Sequence, residues 1–257
     1  MKQLVKRNLL LFFRDKGSVF FSLLAVFVII GLYVLFLGDM IVKGMQDLPG
    51  ARFLTDSWIM AGLLAVTPIT TSLGAMSVIL EDKKLGKFND FYTSPLKRST
   101  IAVSYILSGF LISLILTLLT LVLAEVYIVS FGGELMPAIT MVKVLSVILL
   151  TTASSSFMMF YFVSLFKSLN AYSAASTVTG TLIGFLTGIY IPIGALPGSV
   201  QTAIKLFPPS HAASLLRQLM MEKPGKITFT GAPAAVYEGF RLEMGVIFKL
   251  GNSTLNP

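Results

Sequence analysis

The sequence predicts an all-α bundle that crosses a membrane several times, and three observations carry that reading. Of its 257 residues, 55% are hydrophobic and only 12% are charged, against roughly 25% charged in soluble domains. Five uncharged apolar runs reach the length that spans a bilayer core, about 20 residues as helix. A helix satisfies its own backbone groups in lipid, so the class is a helical bundle in a single transmembrane domain over residues 1–257.

The elements follow in order. Residues 1–18 set Lys2, Lys6, Arg7, Arg14 and Lys16 against Leu4, Val5, Leu9, Leu10, Phe12 and Phe13. This is a basic amphipathic arm suited to a membrane surface. Span 1 covers 19–38. It is too long for a signal-peptide core and lacks a small-residue cleavage site, so it reads as a retained anchor. The loop 39–56 holds Asp39, Asp47 and Asp56 with only Lys43 and Arg52. Span 2 covers 57–80, and Pro68 inside it should kink the helix. The hydroxyls of Thr67, Thr70, Thr71 and Ser72 stand nearby to re-satisfy freed backbone groups. Spans 3, 4 and 5 cover 101–124, 144–166 and 171–191. Residues 192–257 contain no span: prolines at 192, 197, 208, 209 and 224 interrupt them. Short helices fit at 198–207 and 210–221, and Asn252-Ser-Thr forms a glycosylation-type triplet.

Charge orients the bundle. The arm, the 81–100 loop and the 167–170 turn hold eleven basic residues, against three in the two opposite loops. Basic residues gather on the cytoplasmic side, so the N-terminus is expected there and the 192–257 segment outside. The net charge of +8 therefore reads as membrane topology rather than nucleic-acid binding.

The segment 81–98, EDKKLGKFNDFYTSPLKR, sits between spans 2 and 3. At 100° per residue, Leu85, Phe88, Phe91, Tyr92 and Leu96 fall on one side. Lys83, Lys87, Asp90, Thr93 and Lys97 fall on the other. Pro95 ends the amphipathic piece near Thr93. Such a helix lies flat at the interface with its polar side free to touch a partner.

The spans themselves carry no charge, whereas ion-coupled carriers rely on intramembrane ionisable groups. Glu125, at the outer end of span 3, is the nearest candidate, and a solvated interfacial carboxylate is its simpler role. No GxxxxGK[ST] phosphate cradle occurs. There is no cysteine, hence no disulfide or thiolate metal site. The single histidine, His211, lies in the outer tail and reads as polar surface. Ser176, Gly180, Gly184 and Gly188 recur every four residues in span 5. This ladder suits close helix packing or, alternatively, the lining of a substrate route. In span 4, Thr151, Thr152, Ser154, Ser155 and Ser156 either bond back to helix carbonyls or face a cavity fit for an amphiphilic, lipid-like substrate.

Three pieces together resemble the permease subunits of ABC-2-type exporters, bacterial relatives of the G-subfamily half-transporters. They are RNLLLFFRDKGSVFF (7–21), Glu81, Gly86 and Pro95 within EDKKLGKFNDFYTSP, and GIYIPIGALPGSVQTAIKLFPPSHAASLLRQ (188–218) with its late arginine, Arg217. The likeness covers most of 1–218. It implies a connecting helix in the arm, re-entrant short helices outside, and a coupling helix at 85–94 seated in a cytosolic ABC ATPase. The coupling residues it implies are Glu81, Leu85, Gly86, Lys87, Phe88, Asp90, Phe91, Tyr92 and Pro95. It further implies a second permease subunit, alike or different, in a bacterial cell membrane, with ATP and Mg held by the partner and no cofactor on this chain. The family has six spans and a cytoplasmic C-terminus. This sequence shows five, and the expectation is that it is the ordered part of a longer chain.

The function expected is export of an amphiphilic, lipid-like, drug or peptide substrate, driven from outside the chain. The alternative is a membrane receptor or regulatory subunit that signals through 81–98. A membrane enzyme is disfavoured, since no catalytic constellation is present.

Overall fold

A computed structural model describes residues 1–37, 48–250 and 253–255. The end of the first predicted span at residue 38, the loop residues Asp39, Lys43 and Asp47, and Asn252 of the triplet lie outside the described residues.

The amphipathic arm is helix α1 (Lys2–Arg14). The chain breaks at Asp15, whose carboxylate accepts the Gly17 N–H at 3.0 Å and the Ser18 hydroxyl at 2.6 Å. These bonds cap the start of α2 (Lys16–Leu32), and the Ser18 bond, ahead of the backbone bonds, holds the Asp15 carboxyl below its usual range. A π-helical turn, Tyr33–Leu37, follows. Helix α3 (Ala51–Lys84) begins six residues before the predicted span and takes in Arg52 and Asp56, which pair at 3.2 Å. A two-turn helix, α4 (Lys87–Thr93), leads to α5 (Arg98–Ser130), α6 (Ala138–Ser164) and α7 (Leu169–Leu186).

Helices α3, α5 and α6 are long and apolar enough to cross a membrane, and a fourth span is formed if Lys16–Leu24 and Val26–Leu35 act as one. Helix α7 is more polar, carrying Asn170 and five serines and threonines. It also stops five residues short of the predicted end at 191. The reason is local: Gly188 takes φ +67°, a left-handed conformation that ends the helix and that only glycine adopts without strain.

Past that turn, prolines punctuate the chain as expected. Pro197 caps α8 (Gly198–Leu206), Pro208 opens α9 (Pro208–Met220), and Pro233 caps α11 (Ala234–Glu243). Between α9 and α11 runs α10 (Glu222–Thr228). A small antiparallel hairpin, β1 (Phe248–Leu250) with β2 (Ser253–Leu255), is an addition to the all-α prediction.

The described residues cluster into two compact units. The first comprises Met1–Ala25, Thr67–Leu118 and Leu149–Leu182. Its interior is laced with hydroxyls. Thr71 and Ser113 bond each other at 2.7 Å, and Ser113 also donates to the Pro68 carbonyl at 2.9 Å. Ser72 meets Ser156 at 3.4 Å, and the buried Tyr172 hydroxyl donates to the Leu73 carbonyl at 2.6 Å. These contacts tie α3 to α5, α6 and α7. Lipid supplies no hydrophobic drive between helices, so close packing and hydrogen bonds of this kind hold them together. The approach is tight: a Cβ at Gly74 would stand 2.6 Å from the Ser22 hydroxyl, and one at Gly109 2.4 Å from Met76.

The second unit comprises Val26–Val66, Leu119–Ile148 and Ile183–Pro257. Ile193, Ile204 and Phe248 form its apolar cluster, with Leu186 and Leu196 packed against them. Arg217, fully buried, lies over the Trp58 ring at 4.8 Å and donates to the Gly188 carbonyl at 2.9 Å. Its Nε and Nη1 have no hydrogen-bond partner among the described residues, and burial pushes the guanidinium down to about 9. Trp58 in turn donates to the Met244 carbonyl at 2.7 Å. Gly62 makes room for the guanidinium, since a Cβ there would stand 3.1 Å from it.

Replacing Gly188 by alanine should test this corner. The left-handed φ costs a residue with a Cβ about 1–2 kcal/mol, and the added methyl would meet the Ile193 side chain at 2.5 Å. The expected outcome is a lowered melting temperature of the purified protein, while Gly180→Ala, which meets nothing within 4 Å, leaves it unchanged.

Candidate functional site

The predicted docking segment begins where α3 runs out. The Leu85 and Gly86 N–H groups bond back to the Glu81 and Lys83 carbonyls at 2.9 and 3.2 Å. Gly86 then turns the chain with φ +71°, and the Asn89 N–H bonds its carbonyl at 2.9 Å to start α4. The Thr93 and Ser94 hydroxyls donate to the Asp90 and Phe91 carbonyls at 3.0 and 2.6 Å. Pro95 follows, so the helix closes where the sequence placed its end.

The centre of this region is a carboxylate that sequence reasoning passed over. Asp82 is 1% exposed. Both guanidinium Nη atoms of Arg7 donate to its two oxygens. The Tyr105 hydroxyl donates to it at 2.6 Å, and the Lys87 ammonium lies 3.3 Å away. Arg7 also donates to the Asn8 side chain at 3.1 Å, and Asn8 donates to the Ser108 hydroxyl at 3.0 Å. One buried acid thus joins α1, α3, α4 and α5. Bidentate arginine is the strongest of these contacts, because its planar fork matches a carboxylate. The bond to Asp82 holds the Arg7 guanidinium above its ordinary value, so the cation stays charged across the physiological range.

Rings reinforce the charges. Phe88 stacks on Tyr105 at 6.1 Å and 21°, and packs on Phe91 at 6.0 Å. Phe91 faces the Arg7 guanidinium at 6.0 Å, and Arg98 lies over Tyr92 at 4.9 Å. A small cavity of about 170 Å³ lies behind α4, with Ile79, Phe88, Tyr105 and Phe160 among its walls.

The structure therefore divides the predicted coupling residues. Phe88 and Phe91 turn inward and are half-buried. Leu85 and Tyr92, predicted to share their face, are 65% and 53% exposed. Lys87, placed on the solvent side by the helical wheel, reaches Asp82 instead. Asp90 and Pro95 are exposed, and so is Glu81, the acid implied by the family pattern. The signal for Asp82 was present: it continues the buried face of Thr71 and Ala75 by whole helical steps, whereas Glu81 follows the less buried Gly74 and Ser77.

The other predicted residues do not form one site. Gly180 opens onto free space. Gly184 lies under the Tyr190 ring, where a Cβ would come within 2.1 Å of it. Gly188 lies past the helix end, and Ser176 is half-buried on α7. The spacing of four therefore does not continue as one smooth helix face. In α6, Thr151 and Ser155 are buried, and Ser156 bonds back to the Thr152 carbonyl at 2.8 Å. A groove of about 310 Å³ with almost wholly apolar walls, Phe110, Ala153 and Phe157 among them, touches this helix at Ser156.

Comparison with known families gives a match: the sequence model described as ABC-2 type transporter covers residues 1–221, which include every residue of the Asp82 cluster. No curated protein and no solved structure matches the chain.

Asp82→Asn should strand Arg7 without its ion pair. Removing one partner of a buried pair costs about 3–5 kcal/mol, less here because the Arg7 side chain is 26% exposed. The expected result is a lower melting temperature and faster tryptic cleavage in α1. Glu81→Gln, on the exposed neighbour, should stay within about 0.5 kcal/mol of the parent.

Proposed function

Because the chain belongs to the ABC-2 type transporter family, we propose that it is the permease of an ATP-driven exporter and that α4 is the handle a separate ATPase subunit grips. The family makes it a multi-pass membrane permease of an ABC transporter, a transport domain rather than a catalytic one, working with an ABC ATPase in lipid. The direction of transport, the route of coupling and the substrate are our reading.

The observation that carries it is the contrast within α4. A seven-residue helix is too short to be stable alone. This one is rooted by Lys87, Phe88 and Phe91, yet it leaves Leu85 and Tyr92 uncovered. Apolar side chains held out on a rooted helix suit a protein partner. With the basic arm and the 81–98 loop in the cytosol, as the charge bias favours, that partner is a cytosolic ATPase. Closure of the ATPases on ATP and Mg, which they hold, displaces α4. The Lys87–Asp82 ion pair and the Phe88–Tyr105 stack carry the displacement into the ends of α3 and α5, and Arg7 carries it into α1. The spans have no charge relay, so this mechanical input is their source of work. Two such permeases, alike or different, flank the pathway in a bacterial cell membrane, and the substrate is an amphiphile.

The test is a Leu85→Asp, Tyr92→Asp double variant. Both side chains are exposed, so the bundle should insert and keep its melting temperature. The complex with the ATPase should be lost on purification, and ATP-dependent export in vesicles should fall at least about tenfold, the equivalent of 1.4 kcal/mol. Phe91 is the poorer choice, because it packs against Arg7. A double variant that copurifies and exports as the parent does refutes the handle. An ATPase whose hydrolysis ignores the permease would favour a receptor or regulatory role.

A further inference from the structure

We propose that the second unit holds a binding site for a cationic amphiphile, with Glu125 as the anion that recognises it. A cavity of about 330 Å³ lies among the start of α3, the end of α5, the loop after it, and α9–α10. That volume is at the lower end of small-molecule sites, about 300–1,000 Å³. Ser57, Ile128, Met220 and Pro224 form its buried floor, and the exposed Glu134, Leu135 and Lys226 stand at its mouth.

The charges of the wall cancel except at one place. Lys223 pairs with Glu134, and Lys226 pairs with Glu222 at 2.8 Å. Glu125 is 8% exposed. It accepts one hydrogen bond, from the Met136 N–H at 3.1 Å, and is in no ion pair among the described residues. A buried carboxylate is costly unless a cation or several donors meet it. Met136 gives it a backbone N–H, and the cavity wall it belongs to carries the apolar side chains of Phe53, Ile128, Leu219 and Met220. They leave the second oxygen's charge to be met from the cavity. A ligand with an aliphatic or aromatic body and a single ammonium or phosphonium charge satisfies both parts. Met136 and Met220 supply walls that adapt to different bodies.

This names the substrate class for the exporter proposed above, and its meaning for transport rests on that reading. Binding can be measured without an ATPase, so failure here leaves the α4 handle standing, and failure of the handle leaves this site standing. The probe is tetraphenylphosphonium, with tetraphenylborate as its anionic counterpart of the same shape. Each is titrated calorimetrically into the full chain in lipid nanodiscs, with empty nanodiscs as the blank. After that blank, the cation should bind the parent at least about tenfold more tightly than the anion, the equivalent of 1.4 kcal/mol. Glu125→Gln keeps an acceptor for the Met136 N–H and should weaken phosphonium binding by at least about tenfold. Glu125→Asp keeps the charge and should retain binding. Equal binding of cation and anion by the parent overturns the proposal; it would mean that Glu125 is protonated or that the cavity is filled by lipid. Unchanged phosphonium affinity in a folded Glu125→Gln variant overturns it as well. If that variant does not fold, the comparison of the two ions on the parent decides alone.

Discussion

A carboxylate buried at the end of a helix keeps its charge only if cations come to it. At Asp82, Arg7 and Lys87 come from two other helices, and Tyr105 adds a hydroxyl from a third. Each of those elements is thereby fixed at one point. Helix α1 has no long apolar stretch to anchor it, and α4 is only two turns long. Neither would hold a defined place beside α3 and α5 on its own propensity. The ion cluster supplies what propensity lacks, and the ring stack of Phe88 on Tyr105 makes the joint stiff rather than merely attractive.

The rest of the first unit follows a second constraint, the absence of water as a driving force. Its helices meet through Thr71, Ser113, Ser72, Ser156 and Tyr172, and through glycines that let side chains approach. Each hydroxyl bond is modest, about 1 kcal/mol. The second unit is built otherwise. There Arg217 and Trp58 lock the short helices onto the start of α3, with Gly62 and Gly188 shaped around the guanidinium.

The helical class, the proline-punctuated tail and the place of α4 were legible in the sequence because each has a one-dimensional signal: hydropathy, helix breakers, and charge alternation. What was not legible depended on partners distant in the chain. Asp82 and Glu81 are adjacent acids; helical phase sets Asp82 on the buried face, but the cation that meets it there, Arg7, stands 75 residues away. The wheel that put Lys87 on the solvent side was right about angle and blind to Asp82. The apolar face of α4 was read as one surface, but Tyr105 and Arg7 claim Phe88 and Phe91 and leave Leu85 and Tyr92 outside. The four-residue ladder in α7 failed for a different reason: spacing implies a shared face only while the helix lasts, and Gly188 ends it.

Arg217 reaches Trp58 and Gly188 only when the tail has closed over the beginning of α3. Until then the guanidinium must stay hydrated, and α3 must wait with an uncovered indole. Closure of the tail is therefore a single condition that covers both side chains. A chain whose tail stands open displays a wet arginine and a bare indole together, and the one movement hides both.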